Sequence, residues 1–525
     1  MERENMRCVI LVTSDIHGYI QSVDYRTREE IPSGLAKLAT LIKEERTKCP
    51  NLLLIDNGDM LQGSPFAAFA AAHASGIHPC IEVMNNLQYD AAVPGNHEFN
   101  YGFETLKHAV ETSRFPWLAS NIIAKETGEP SLGKPYTVKR IEDKLNVVIL
   151  GATTHYIPHW EKASHIDGLE FRNSLEAVKA WTAYIREHEQ PDLLIVSYHG
   201  GFERDLANGQ ATERLTGENQ AYAICAEVPG IDVLITGHQH RLIAEQLNGV
   251  LVVQTGSNGQ ALGQFTIEFE YSGDGWRVVS KTARLLQPAA DTAADREVEV
   301  LTGDMERMTQ EWLDQPIGTA EGDLSVDDPF ECRKAPHPFV QFIHQVQLEA
   351  TGAEISAAAL LSEECRGFGS VITVRDVLSA FVYPNTLTVL RLTGEDIRLA
   401  LEQSAAYFEL DAAGKPGISE AYLQPKAQHY NYDMWAGIEY DIDLSFPVGK
   451  RITRLSRNGE ELSVNAEYSV VMNSYRAGGG GNFDMFQGKP VLYEGAEDMA
   501  DLAVGHIQSK GLLTASDDRN WQLMW

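Results

Sequence analysis

Val9-Ile10-Leu11-Val12-Thr13-Ser14-Asp15-Ile16-His17-Gly18 sets a short apolar run directly before an Asp, a His and a Gly. A run of this length rich in β-branched and aliphatic residues reads as a buried strand, and the change at Ser14 marks where the chain leaves the sheet. Four further stretches repeat the arrangement. Leu52 to Ile55 leads through Asp56-Asn57 into Gly58-Asp59, and a third run precedes Gly95-Asn96-His97-Glu98. Leu193 to Ser197 ends at Tyr198-His199-Gly200-Gly201, and Val233 to Thr236 enters Gly237-His238-Gln239-His240.

In an open α/β sheet the loops beyond the carboxyl ends of the strands form the ligand crevice, so groups spread from Asp15 to His240 can converge. Glycine beside each group permits a sharp turn and leaves room for an ion and a phosphate. Asp15 and His17, one residue apart, are expected to point to one side of an extended strand end. Oxygen and nitrogen donors of these types suit two divalent ions, Mn, Zn, Fe or Co, held about 3.5–4 Å apart by a shared carboxylate. Asp59 is the expected bridge. The set divides into Asp15, His17, Asp59 and His240 around one ion, and Asp59, Asn96, His199 and His238 around the other. His97 is the one motif histidine this count does not require. His155, His159 and His165 follow no apolar run and read as structural.

The 525 residues exceed what one core organises, which predicts two domains. Strand-like runs alternate with helical spacing through about residue 285, as at Leu35 to Ile42 and Leu175 to His188, giving an α/β domain over 1–288. The Ala-, Asp- and Pro-rich stretch Gln287 to Asp295 precedes a helical pattern from Arg296 to Leu313, a linker helix within 289–316. From 317 to 525 the texture becomes α+β. Helices are expected at Pro338 to Ala350 and Gly394 to Phe408, and strands at Thr386 to Leu392, Gly437 to Ile442 and Tyr468 to Met472.

A formal charge of −31 excludes duplex nucleic acid as a partner, because such binding rests on Lys and Arg neutralising phosphates. A small anionic substrate remains compatible where metal ions supply local positive charge. Six dispersed cysteines form no C-x-x-C and read as free thiols. The start, Met1-Glu2-Arg3-Glu4-Asn5-Met6-Arg7, is charged too early for a signal-peptide core. No segment has the roughly 20 apolar residues of a membrane span. The expectation is a cytoplasmic protein, or a periplasmic or extracellular one if a leader was removed. Nothing in the sequence signals an oligomeric state.

The series D-x-H, G-D, G-N-H-E, H-G, G-H-x-H resembles that of the calcineurin-like metallophosphoesterases. The resemblance implies a four-layer α/β sandwich in which divalent ions polarise the phosphoryl oxygens and activate water, with His97 stabilising developing charge or protonating the leaving oxygen. Protein phosphatases of that superfamily carry arginines beside the G-D and G-N-H-E motifs. Here those positions hold none, which disfavours a phosphoprotein substrate.

Nearly the whole chain resembles the two-domain 5′-nucleotidase family, most closely its 2′,3′-cyclic-nucleotide 2′-phosphodiesterase/3′-nucleotidase branch. The matching segments include Gly34-Leu35-Ala36-Lys37, Tyr383-Pro384-Asn385-Thr386-Leu387, Tyr430-Asn431-Tyr432-Asp433 and Asn473-Ser474-Tyr475-Arg476-Ala477. Asn100 stands where 5′-nucleotidases usually pair an Asp with the motif histidine. Ile355-Ser356-Ala357-Ala358-Ala359 occupies the region of their phosphate-contacting N-G-G-x-R, and Gly478-Gly479-Gly480-Gly481-Asn482 replaces their ribose-gripping G-G-D-G-Y. The resemblance implies that a smaller C-terminal nucleotide-binding domain stacks a base of any identity between Tyr383 and Tyr475. Arg476 is expected to reach phosphate or base, or else to form an exposed ion pair. The expected activity is hydrolysis of 2′,3′-cyclic nucleotides to 3′-nucleotides and then to nucleosides. The alternatives are a 5′-nucleotidase or broad nucleotide phosphatase and, more remotely, a non-catalytic nucleotide-binding protein.

Overall fold

The computed structural model describes residues 4–49, 51–213, 215–273, 275–383, 385–424 and 426–525. Met1, Glu2 and Arg3 of the N-terminal reading and Pro384 of the tyrosine motif lie outside them. The chain forms two compact units, Met1–Thr309 and Gln310–Trp525, which divide within the helix Arg296–Leu313.

In the first unit the quoted run lies in the strand Glu4–Thr13, the middle of a five-stranded sheet. It pairs in parallel with Leu52–Asp56, Thr13 opposite Asp56, so the two chains leave the sheet level with each other. A six-stranded sheet carries Leu193–His199 and Val233–Ile235 as parallel neighbours. Ile10, Val12 and Ile55 from the first sheet and Ile149, Ile195, Ile235 and Val253 from the second form one apolar layer. On the opposite face of the second sheet, Leu150, Val196 and Leu234 cluster with Val178 and Ile185 of the helix Ser174–His188. Strands buried on both faces need continuous apolar runs rather than alternation, which is why the five runs read so clearly. Helices Leu35–Lys48 and Pro79–Asn86 bury Leu35, Leu38, Ile42, Ile81 and Met84 and complete a four-layer α/β sandwich.

Several local expectations are corrected. The ligand groups come from two stacked sheets rather than one open sheet. The run before Gly95 forms only the two-residue strand Ala91–Ala92, and His199 is the last residue of its strand rather than lying past it.

The second unit has a five-stranded sheet ordered Asp433–Ala436, Ile355–Ala359, Glu467–Asn473, Thr386–Thr393, Val491–Asp498. It packs with the helices Pro338–Thr351 and Gly394–Ala405 as an α+β unit. Thr393 and Asp396 form a capping box that starts the latter helix. That helix stops before the expected Phe408, because Phe408–Leu410 pairs instead with Pro416–Ile418. The stretch Ile355–Ala359 is a fully buried strand and carries no cationic group. No described helix is long and apolar enough to cross a membrane.

Candidate functional site

The level strand ends of the first sheet are tied by backbone bonds: Asp15 N–H donates to Gly58 O at 2.9 Å, and His17 N–H to Asp59 O at 2.7 Å. Past this point the chain is not extended. Asp15, His17, Asp59, His238 and His240 have φ of 55°, 53°, 57°, 67° and 57°. Left-handed backbone at non-glycine residues is uncommon, is best tolerated by Asp, Asn and His, and clusters at functional sites. Asp15 and His17 therefore converge through consecutive tight turns, not through the period of a strand.

Glu98, the last residue of G-N-H-E, fastens two of these loops. Its buried carboxylate accepts from the backbone N–H of Asp59 at 2.7 Å, Met60 at 2.7 Å, Leu61 at 3.1 Å and Gly95 at 2.6 Å. Gly95 has a distinct steric role, since a Cβ there would stand 2.2 Å from Asp59 Oδ1 and 2.7 Å from His199 Cε1. The space this glycine leaves is taken by side chains of the site.

Two donor groups result: Asp15, His17 and His240 in one, and Asp59, His199 and His238 in the other. Outer partners fix the histidine ring orientations. His17 Nδ1 donates to Gln62 O at 2.9 Å and His199 Nδ1 to Asn57 O at 2.6 Å, so each turns its Nε2 inward. His238 Nε2 donates to Glu218 Oε1 at 2.9 Å, which turns Nδ1 inward, 2.8 Å from Asn96 Oδ1. Fixing a ring nitrogen through a carbonyl or carboxylate behind it is the usual device of a metal-ligating histidine. Groups of ligand type crowd together here: His17 Nε2 lies 3.0 Å from His240 Nε2, and Asn96 Oδ1 lies 3.2 Å from His199 Nε2. Asp59 Oδ2 is buried, with His199 Nε2 at 3.1 Å.

The electrostatics match. Burial opposes ionisation of Asp15, yet its hydrogen bond to His240 and the nearby His199 carry its pKa down to about 2. Burial likewise opposes ionisation of Asp59, but His199 and His97 hold it well below the usual carboxylate range. Burial would depress His199; the carboxylates of Asp59 and Asp15 instead raise it to about 10. Two buried carboxylates held ionised among inward ring nitrogens mark a centre that favours positive charge, and the residues present fit divalent cations.

His97 sits beside this centre. Its backbone N–H donates to Asp59 Oδ1 at 2.8 Å, and its ring centroid is 5.3 Å from that of His17. Its Nδ1 lies 2.6 Å from Asn100 Oδ1, and Asn100 Nδ2 donates to Glu161 Oε2 at 2.7 Å. Trp160 stacks on His238 with centroids 5.4 Å apart. Glu161, Glu218 and Trp160 were not singled out from the sequence, since no strand-like apolar run leads into them. His155, His159 and His165 belong to neither donor group.

In the second unit Tyr383 and Tyr475 do come near one place, but with a third ring there. Tyr430 meets Tyr383 edge-on at 6.0 Å and Tyr475 edge-on at 6.4 Å. The glycine run packs beneath: a Cβ on Gly480 would stand 2.5 Å from the Tyr475 ring. Arg476 does not serve as the expected substrate contact. It is buried, and its guanidinium donates to Asp433 through Nε at 2.7 Å and Nη2 at 3.2 Å, to Tyr430 O at 3.0 Å, to Asn431 Oδ1 at 3.3 Å and to Gly480 O. All five N–H groups are thus engaged, and Cζ lies 4.0 Å from the centre of the Phe483 ring. Arg476 clamps the loops that carry Tyr430 and Tyr475.

Known proteins share this pattern. The calcineurin-like phosphoesterase family matches residues 8–242, and the 5′-nucleotidase C-terminal domain matches residues 316–488. A Staphylococcus aureus structure named a 5′-nucleotidase, solved with alpha-ketoglutarate, is 33% identical, with a TM-score of 0.90 over 99% of this chain and 100% of that one. The 2′,3′-cyclic-nucleotide 2′-phosphodiesterase/3′-nucleotidase of Yersinia enterocolitica is 28% identical over 98% of this chain and 87% of its own length. The trifunctional nucleotide phosphoesterase protein YfkN of Bacillus subtilis is 27% identical over 98% of this chain, which spans only 38% of that relative's length. Calcineurin-like phosphoesterases use divalent metals, for which the two donor triads are the candidate positions. With both family domains present and a relative this similar along its full length, the chain belongs to the two-domain 5′-nucleotidase family of metallophosphoesterases, hydrolases of nucleotide phosphoesters.

Proposed function

We propose that the protein hydrolyses 2′,3′-cyclic nucleotides to 3′-nucleotides and these to nucleoside and phosphate. The observation that carries the chemistry is the pair of inward-facing donor triads with His97 beside them. Asp15, His17 and His240 would hold one divalent ion and Asp59, His199 and His238, with Asn96, the other, and Asp59 would serve both. Bound there, the ions supply Lewis-acid charge for the phosphoryl oxygens and lower the pKa of water.

The chain's own groups do the rest. Glu98 keeps the Asp59 loop and the His97 loop in one frame. His97, pinned at Nδ1 by Asn100, offers Nε2 to the leaving ribose oxygen. Tyr383 and Tyr475, spaced by Tyr430, take the base by ring contact, which accepts any nucleobase. The cyclic and 3′ preference is supported by Asn100 in place of an Asp, by the glycine run lacking a ribose-gripping carboxylate, and by the name of the Yersinia relative.

Phosphate release from 2′,3′-cyclic AMP, 3′-AMP and 5′-AMP by the purified, Mn²⁺-supplied protein tests the reading. Turnover of the first two at well above the rate for 5′-AMP is expected. Activity confined to 5′-AMP would overturn it in favour of a 5′-nucleotidase.

A further inference from the structure

Behind the His97 ring runs a chain of hydrogen bonds that ends on a buried carboxylate. Asn100 Oδ1 faces His97 Nδ1 at 2.6 Å, and Asn100 Nδ2 donates to Glu161 Oε2 at 2.7 Å. The other carboxylate oxygen, Glu161 Oε1, accepts from Lys162 N at 2.8 Å and from His165 Nδ1 at 2.9 Å. The Glu161 side chain is 6% exposed and lies next in sequence to Trp160, whose ring covers His238.

An asparagine can present either its oxygen or its NH₂ to a neighbour. A carboxylate accepts hydrogen bonds and cannot donate them. Glu161 therefore draws the Asn100 NH₂ to itself and turns the carbonyl oxygen to His97. Only Nδ1–H of His97 satisfies that oxygen, which leaves Nε2 as the ring nitrogen available to substrate. The amide also passes the influence of the carboxylate to the imidazole, since charge-assisted bonds polarise the bonds joined to them.

We infer that Glu161 is a positioning residue for His97, acting through Asn100 in place of the direct Asp partner of 5′-nucleotidases. The inference rests on the reading of His97 as the donor to the leaving oxygen. It assigns a function to the segment around residues 156–165, whose histidines belong to neither donor group and whose carboxylate reaches the centre at one remove.

The test compares leaving groups in the Mn²⁺-loaded full-length protein. The substrates are the nucleotide hydrolysed fastest, whose alkoxide must be protonated, and p-nitrophenyl phosphate, whose phenolate departs without a proton. Glu161→Gln should lower kcat on the nucleotide about tenfold with KM within about twofold, change p-nitrophenyl phosphate turnover far less, and leave metal content intact. Asn100→Asp alone sets two carboxylates against each other and should lose activity. Asn100→Asp combined with Glu161→Gln restores a donor between positions 161 and 100 and should exceed both single variants. Equal losses on both substrates, no loss, or a double variant no better than the singles would overturn the inference. His97→Ala separates the two readings. A leaving-group-selective loss in His97→Ala without one in Glu161→Gln removes the Glu161 inference alone, whereas its absence from His97→Ala removes both.

Discussion

The carboxylate of Glu98 accepts the backbone N–H of Asp59 at 2.7 Å, joining the loop of the G-D motif to the loop of G-N-H-E. Because the same carboxylate holds Met60, Leu61 and Gly95, a single side chain sets the spacing of Asp59, Asn96 and His97. Glu98→Gln turns an NH₂ toward two buried N–H donors and leaves them unpaired. The expected cost is about 2–6 kcal/mol of unfolding free energy together with lost metal retention, read by denaturant unfolding and elemental analysis.

Arg476→Lys removes the guanidinium fork and its packing on Phe483. Destabilisation of the C-terminal unit by about 3–5 kcal/mol is expected, because Asp433 would keep a buried, poorly paired charge. A variant of unchanged stability with only KM raised would mark a substrate contact instead of a clamp.

Most of the strand-then-ligand groups were legible because double-sided burial forces uninterrupted apolar runs and the donors stand at or just past their ends. Asn100, read against the family pattern, was legible too. The partner that gives it meaning was not, because Glu161 meets it only through tertiary folding. Arg476 was misread for a related reason: its residue type suits phosphate, and only the loop closing over it shows that every N–H is already used. The left-handed turns at Asp15 and His17 were hidden because a D-x-H spacing is equally compatible with an extended chain.

Metal removal should register in stability as well as activity. Chelation leaves the Asp15 and Asp59 carboxylates without the cations their surroundings favour. Dialysis against EDTA should lower the melting temperature of the N-terminal unit, and Mn²⁺ or Zn²⁺ should restore it. A ligand at about 1,000 times its Kd contributes about 4 kcal/mol.

His344 gives the C-terminal unit a pH dependence. Its Nδ1 lies 2.8 Å from Ser356 Oγ, which donates to Gln347 Oε1, and burial pushes its pKa from 6.5 down to about 3. The folded state keeps the ring neutral while the unfolded chain takes up a proton. This contribution is fully present above pH 6.5 and is lost progressively as the pH falls toward 3. His344→Gln should shrink the difference in unfolding free energy between pH 7 and pH 5 by about 2 kcal/mol, measured by urea denaturation.

The positive φ values at Asp15, His17, Asp59, His238 and His240 restrict what any library aimed at retuning metal preference can sample. Exchanges among Asp, Asn and His keep a backbone these residues tolerate, so they alter donor chemistry alone. Val, Ile or Thr at the same places must also unwind a turn. Screening for a new metal is therefore best confined to the three-letter alphabet the turns already accept, with diversity placed instead at Glu218, the outer partner that holds its histidine through a side chain.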